Sequence, residues 1–159
     1  MALNVRRVVT GHDKNGKAVV RIDDAKANWS LGRANQERQN IWTTNDLPVH
    51  FTEDDQDKGA RQIGTTITGG SVFRVVEFGP GVAPRNHRTD SIDYAVVMSG
   101  EIDMEMDDTV VHLKAGDVLV QRGTVHCWIN RGVTPCTIAF VLVDAMPVTA
   151  GGKVLNAFG

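Results

Sequence analysis

Between Gly81 and Gly100 the chain reads G-V-A-P-R-N-H-R-T-D-S-I-D-Y-A-V-V-M-S-G, with an imidazole at His87 and a carboxylate at Asp93. Thr89 stands between them, at the one spacing where a second histidine would complete a metal site. A strand sends alternate side chains to opposite faces. One that turns His87 inward therefore turns Thr89 inward too, and Asp93 follows if the intervening turn keeps register. A second imidazole lies in H-C-W-I-N, where His126, Trp128 and Asn130 share one parity and Cys127 and Ile129 the other. Ionisable groups that converge inside an apolar barrel are costly unless they hold a metal or move a proton, so those are the two chemistries to test. A hydrogen-bonded structural cluster is the bland alternative. His12, His50 and His112 fit no such pattern and are expected on the surface or in strands.

The elements that must position these groups read as strands. V-R-R-V-V-T and A-V-V-R-I flank a turn rich in Gly, Asp and Asn, a hairpin pattern, and close the segment 5–22. From Asp23 to about Gly59 the chain is polar, with isolated Trp29, Ile41, Trp42 and Phe51 and no sustained period. It is expected as a long arm with short strands that packs on the barrel or covers a neighbouring subunit. From Ile63 strand-like runs follow closely: T-I-T, S-V-F-R-V-V-E-F, Y-A-V-V-M, V-V-H-L-K, G-D-V-L-V-Q and C-T-I-A-F-V-L-V. In E-I-D-M-E-M-D the acids alternate with Ile102, Met104 and Met106, the pattern of a half-buried strand with a solvated acidic face. A strand cannot wrap those acids around calcium as a loop does. Many short strands with regular turns imply an all-β sandwich or barrel.

The chain from about Phe73 to Asp144 resembles the cupin superfamily. The first family motif, G-x5-H-x-H-x3-E-x6-G, is met by Gly81, His87, Thr89, Asp93 and Gly100. The second, G-x5-P-x-G-x2-H-x3-N, is met by Gly116, Gln121, Gly123, His126 and Asn130, with one residue fewer after the first glycine. The resemblance implies a single double-stranded β-helix, a jelly-roll barrel. Residues 71–146 would be the barrel core, 1–70 an N-terminal hairpin and arm packed on it, and 147–159 a C-terminal tail. It also implies a homodimer, with the arm as a candidate swapped strand. Carried over position by position, it makes His87, Asp93 and His126 metal ligands. Thr89 departs from the pattern, and aspartate for glutamate shortens the reach by one methylene. Two imidazoles and one carboxylate suit non-haem iron, zinc or manganese, with nickel a further candidate. With Thr89 in place of a ligand, a metal-free pocket is the alternative.

The expected function is an enzyme of secondary metabolism acting on a small oxygenated molecule such as a keto acid or polyketide-like compound. The reaction would be a lyase or isomerase step: dehydration, decarboxylation or enolisation. Asp93 and His126 would be catalytic, either beside a Lewis-acidic ion or as the proton-transfer groups themselves. Arg74 and Arg85 are candidates to grip a substrate carboxylate, and Trp128 to form an aromatic wall. An iron-dependent dioxygenase and a non-catalytic small-molecule-binding module are the alternatives. Lys plus Arg number 17 against 19 Asp plus Glu, a net charge of −2 with no basic block, which argues against nucleic acid as a partner. No apolar run approaches the ~20 residues of a membrane span, so a cytoplasmic protein is expected. The two cysteines, Cys127 and Cys136, would then be free thiols, facing each other across a hairpin if its register is symmetric.

Overall fold

The computed structural model describes residues 3–26, 33–52 and 56–159, which leaves Trp29 and part of the acidic run after Phe51 outside the description. Strands β1 (Val5–His12) and β2 (Ala18–Lys26) pair as the expected N-terminal hairpin, a sheet of its own. Its turn is held by the Asp13 carboxylate, which accepts from the backbone N–H of Asn15 and Lys17 at 2.8 and 2.9 Å. Apolar packing and polar contacts fasten the hairpin to the rest of the chain. Leu3 and Val5 pack against Ile41 and Val75. Arg7 is buried and pairs with Asp24 at 2.7 Å and Asp57 at 2.6 Å, while its Nη1 donates to the Ile41 carbonyl.

Among the described residues eight strands build the barrel: β3 (Gln36–Thr44), β4 (Ser71–Phe78), β5 (Ser91–Ser99), β6 (Glu101–Met106), β7 (Thr109–Lys114), β8 (Val118–Arg122), β9 (Cys127–Ile129) and β10 (Cys136–Asp144). They form two antiparallel sheets, β3-β4-β10-β5-β8 and β7-β6-β9, in the double-stranded β-helix arrangement expected. The core between them takes Val72, Val76 and Phe78 from β4, Ile138, Phe140 and Leu142 from β10, Ile102 and Met104 from β6, and Trp128 from β9. On β6 the alternation holds: Ile102 and Met104 are buried, and the acids face out, where Arg131 pairs with Asp103 and Glu105 and His112 with Asp103.

Three expectations need amending. The segment expected as an arm contains β3, a nine-residue strand paired with β4 from Gln36↔Phe78 to Thr44↔Ser71. Its polar sequence hides the strand because one face lines a cavity, and an irregularity between Asn40 and Trp42 breaks the alternation. T-I-T is loop rather than strand. Cys127 and Cys136 are buried free thiols, as expected, but they do not face each other across a hairpin. β9 pairs with β6 and β10 with β4 and β5, so the turn between them crosses from one sheet to the other. The C-terminal stretch folds as a small hairpin, β11 (Val148–Ala150) with β12 (Lys153–Leu155), and then bridges Phe158 to Arg88. No helix among the described residues is long and apolar enough to cross a membrane.

Gly100 closes the turn between β5 and β6 at φ 73°, and a Cβ there would lie 2.4 Å from the Pro135 carbonyl oxygen. Gly116 has φ 93° and open space around it. Gly116→Ala should therefore cost only the left-handed strain of about 1–2 kcal/mol. Gly100→Ala should cost clearly more, because backbone must also move. Urea denaturation of both variants checks this, and equal losses would contradict the packing described.

Candidate functional site

His87 and His126 meet in an isolated antiparallel bridge. His87 N–H donates to the His126 carbonyl at 3.1 Å and His126 N–H to the His87 carbonyl at 3.0 Å. The rings end 4.1 Å apart between centroids. Each imidazole is oriented by a local carbonyl: Nδ1 of His87 lies 3.1 Å from Arg85 O, and Nδ1 of His126 lies 3.0 Å from Thr124 O. A carbonyl only accepts, so each Nδ1 carries the proton and each neutral ring keeps its lone pair on Nε2. Trp128, two residues beyond His126, meets that ring edge-on at 5.9 Å.

The parity expected from sequence holds on the other wall, where Thr89, Ser91 and Asp93 are all buried. Ser91 Oγ lies 2.5 Å from Asp93 Oδ1 and 2.9 Å from Thr89 Oγ1. With one proton to give, Ser91 serves the carboxylate. Tyr94 has the opposite parity and faces out. His87, Thr89, Asp93, His126 and Trp128 line one pocket, together with Arg74 and Arg85. Its cavity of about 80 Å³ is several times the ~10–15 Å³ that a single water needs. Asn130, the last residue of the second motif, does structural work instead. Its Nδ2 donates to Phe78 O and Thr134 O at 2.8 Å each, and its Oδ1 accepts from Gly132 N–H.

Burial governs the charges. It pushes His126 down to about 4, assisted by the neighbouring His87, and lowers His87 as well. It raises the Asp93 carboxyl against the opposing hydrogen bond from Ser91 and the field of Arg74. Arg74 is brought down to about 9, by burial first and then by Arg38. The pocket thus holds two neutral imidazoles and a carboxyl group that resists ionisation.

Cupin folds commonly bind metal, and the residues present here decide whether this pocket suits one. Among the described residues no three His, Cys, Asp or Glu side chains stand close enough to share an ion, so His87, Asp93 and His126 line one pocket without forming a three-ligand group. The side chain at 93 is one methylene shorter than glutamate, and its oxygen is engaged by Ser91. The three groups as placed do not fit a shared metal ion.

Two pocket arginines escaped the sequence reading, Arg33 and Arg38. Both lie in the stretch read as an arm, and an arginine in a polar run reads as solvated. Only the pairing of β3 with β4 turns Arg38 inward, opposite Val76. Of the other arginines near the motif strands, Arg88 lies over the Phe158 ring at 5.6 Å and donates to Gly123 O, and Arg122 is exposed.

Comparison with known proteins places this geometry. The family model described as "Cupin domain" matches residues 74–143. The chain is 35% identical over 161 residues to the cupin-domain-containing oxidoreductase fogC of Aspergillus ruber, covering 97% of this chain and 79% of that one. It is 38% identical over 160 residues to phomopsin biosynthesis cluster protein C′ of Diaporthe leptostromiformis, covering 94% and 84%. Among solved structures, a conserved Klebsiella pneumoniae protein with a double-stranded β-helix domain superposes with a TM-score of 0.51 at 26% identity, covering 74% of this chain and 82% of that one.

The depressed His126 predicts a pH dependence of stability. Below pH 6.5 the unfolded chain takes up a proton that the folded chain refuses until about pH 4, so stability falls as pH drops through that window. Between pH 7 and pH 5 the loss from this group is about 2 kcal/mol. Asp93 acts in the opposite sense: its raised folded pKa adds stability as pH falls through that value toward 3.8. Chemical denaturation at pH 7 and pH 5 should show a smaller pH-dependent loss in His126→Gln than in the unmodified protein. Equal losses would contradict the burial of a neutral imidazole.

Proposed function

Because the chain belongs to the cupin family, we propose that it is a small cytoplasmic cupin enzyme of secondary metabolism that moves a proton on a small oxygenated organic molecule. Keto acids and polyketide-like compounds are the substrate class, and enolisation or dehydration the reaction. The observation that carries this reading is the pair of imidazoles whose Nδ1 protons are committed to carbonyls. Each leaves an unprotonated Nε2 in the same pocket as Asp93. His126 removes a proton from the carbon beside a carbonyl. Asp93, whose hold on a proton burial strengthens, is the group placed to give one to the oxygen that becomes an enol or departs as water. Trp128 provides an aromatic wall, and Arg74 and Arg85 attract the oxygenated end.

A second reading, oxidation of a substrate in the same pocket with oxygen as acceptor, is supported by the name of the Aspergillus ruber relative. The two separate in one experiment. Candidate keto acids and phenolic acids are incubated in D2O under argon and under air, and carbon-bound exchange and products are followed by NMR. The proton-transfer reading expects exchange under argon that falls about 100-fold or more in His126→Asn. Products that form only in air support oxidation instead. Recovery of every compound unchanged and unexchanged would leave a binding module.

A second copy of the chain is the proposed partner. The outer face of the larger sheet carries two uncharged rows: Trp42, Phe73, Val141, Tyr94 and Val120 in one, and Gln39, Val75, Ala139, Val96 and Val118 in the next. Phe73, Tyr94, Val96, Val118 and Val120 are exposed. These rows lie between Glu37 and Glu77 at one end of the face and Arg122 at the other, so the centre of a two-fold contact brings no like charges together. Light scattering should report a dimer, and Val96→Glu with Val120→Glu a monomer. A monomeric unmodified protein at tens of micromolar would end this proposal.

A further inference from the structure

Arg7 shows how this fold buries an arginine for structural ends. Its guanidinium receives two carboxylates, Asp24 and Asp57, and a carbonyl. Arg38 and Arg74 are treated differently. Arg74 is 4% exposed, and its Nη2 donates only to the carbonyls of Gly64 and Thr65, at 2.9 and 3.1 Å. Arg38 gives its Nη2 to Ile63 O at 3.1 Å. The Nε of both is buried without a hydrogen-bond partner. Among the described residues neither has a carboxylate within ion-pairing distance.

Register explains their meeting. Asn40 faces Arg74 and Arg38 faces Val76 across β3 and β4, so the two arginines are diagonal neighbours on the inward face. The loop 63–65 holds one edge of each guanidinium with backbone carbonyls, which fixes their planes. Arg33 and Arg85 also line the pocket, so among the described residues four guanidiniums share its lining with one carboxyl group, Asp93. Like charges that share a low-dielectric pocket raise the free energy of the empty protein, and an anion relieves this. The other side of the pocket is apolar and aromatic: Trp128 and Phe140 meet edge-on at 5.7 Å, beside Phe78 and Leu142.

We infer that Arg38 and Arg74 form a clamp for the carboxylate of an aryl or unsaturated acid, whose flat apolar body lies against Trp128 and Phe140. This inference rests on the pocket being the active site, and it narrows the substrate class from oxygenated molecules to aromatic or conjugated carboxylic acids. A planar two-oxygen anion matches the fork of a guanidinium better than a point charge does. The carboxylate then sits at the β3–β4 wall and directs the remainder of the molecule toward the histidines.

The test is isothermal titration of the full chain at low ionic strength with salicylate, with its neutral counterpart salicylamide, and with inorganic phosphate. Salicylate should bind at least about 10-fold more tightly than either of the others. Arg38→Gln and Arg74→Gln should each weaken salicylate about 10-fold or more while leaving salicylamide nearly unchanged. Arg38→Lys, which keeps the charge and loses the fork, should also weaken salicylate, and it serves if a glutamine variant does not fold. Equal binding of salicylate and salicylamide, or phosphate binding as tight as salicylate, would overturn the clamp. His126→Asn separates this from the catalytic reading. Salicylate binding retained while proton exchange is unaffected by that change sinks the catalysis and leaves the clamp. His126-dependent exchange without salicylate binding does the reverse.

Discussion

Two backbone hydrogen bonds hold the functional end of this molecule together, the reciprocal pair between His87 and His126 at 3.1 and 3.0 Å. The first joins a loop that leads into β5 of the larger sheet to a residue that enters β9 of the smaller one. Neither segment has a strand partner at that point, so the bridge satisfies backbone groups that burial would otherwise orphan. Because the bridge forms between histidines, closing the barrel and placing two imidazoles 4.1 Å apart are one event. The local carbonyls of Arg85 and Thr124 then decide which ring nitrogen is protonated.

Around that bridge the interior is divided by charge. The barrel core is aliphatic and aromatic as far as Phe78, Phe140 and Trp128, and beyond them the wall turns to arginine. Buried cations without counterions oppose folding, and Arg38 and Arg74 are tolerated because carbonyls of the loop 63–65 satisfy part of each guanidinium. Arg7, with its two carboxylates, is the structural counterpart on the outside of the barrel, where it ties the N-terminal hairpin down. The same residue type thus serves anchorage in one place and is left available in another, and the difference lies in the partners.

The C-terminal stretch contributes to the same end of the barrel. Phe158 pairs with the backbone of Arg88 and receives its guanidinium on the ring, while Arg85 Nη2 donates to Gly159 O. A second depression, lined by Thr65, Arg85, His87 and Thr89 as well as Phe158, adjoins the inner pocket through those shared residues. His87 therefore borders both depressions.

Much of this was legible in the chain. Period-two alternation over Glu101–Met106, the parity of Thr89 with Asp93 and of His126 with Trp128, and the two glycine-bounded motifs announced an all-β barrel with those groups in one interior. A strand's pleat is a local property, so sequence suffices to assign its faces. The partners of a face are not local. That β3 is a barrel strand, that Cys127 and Cys136 belong to different sheets, and that Arg38 points at Arg74 all depend on which strands pair. The polar run of β3 looked solvated because the cavity it lines is itself polar. The sequence determined which residues face inward along each clear strand; tertiary pairing decided what they face, because hydrogen-bond register between distant strands sets those distances and no local pattern encodes it.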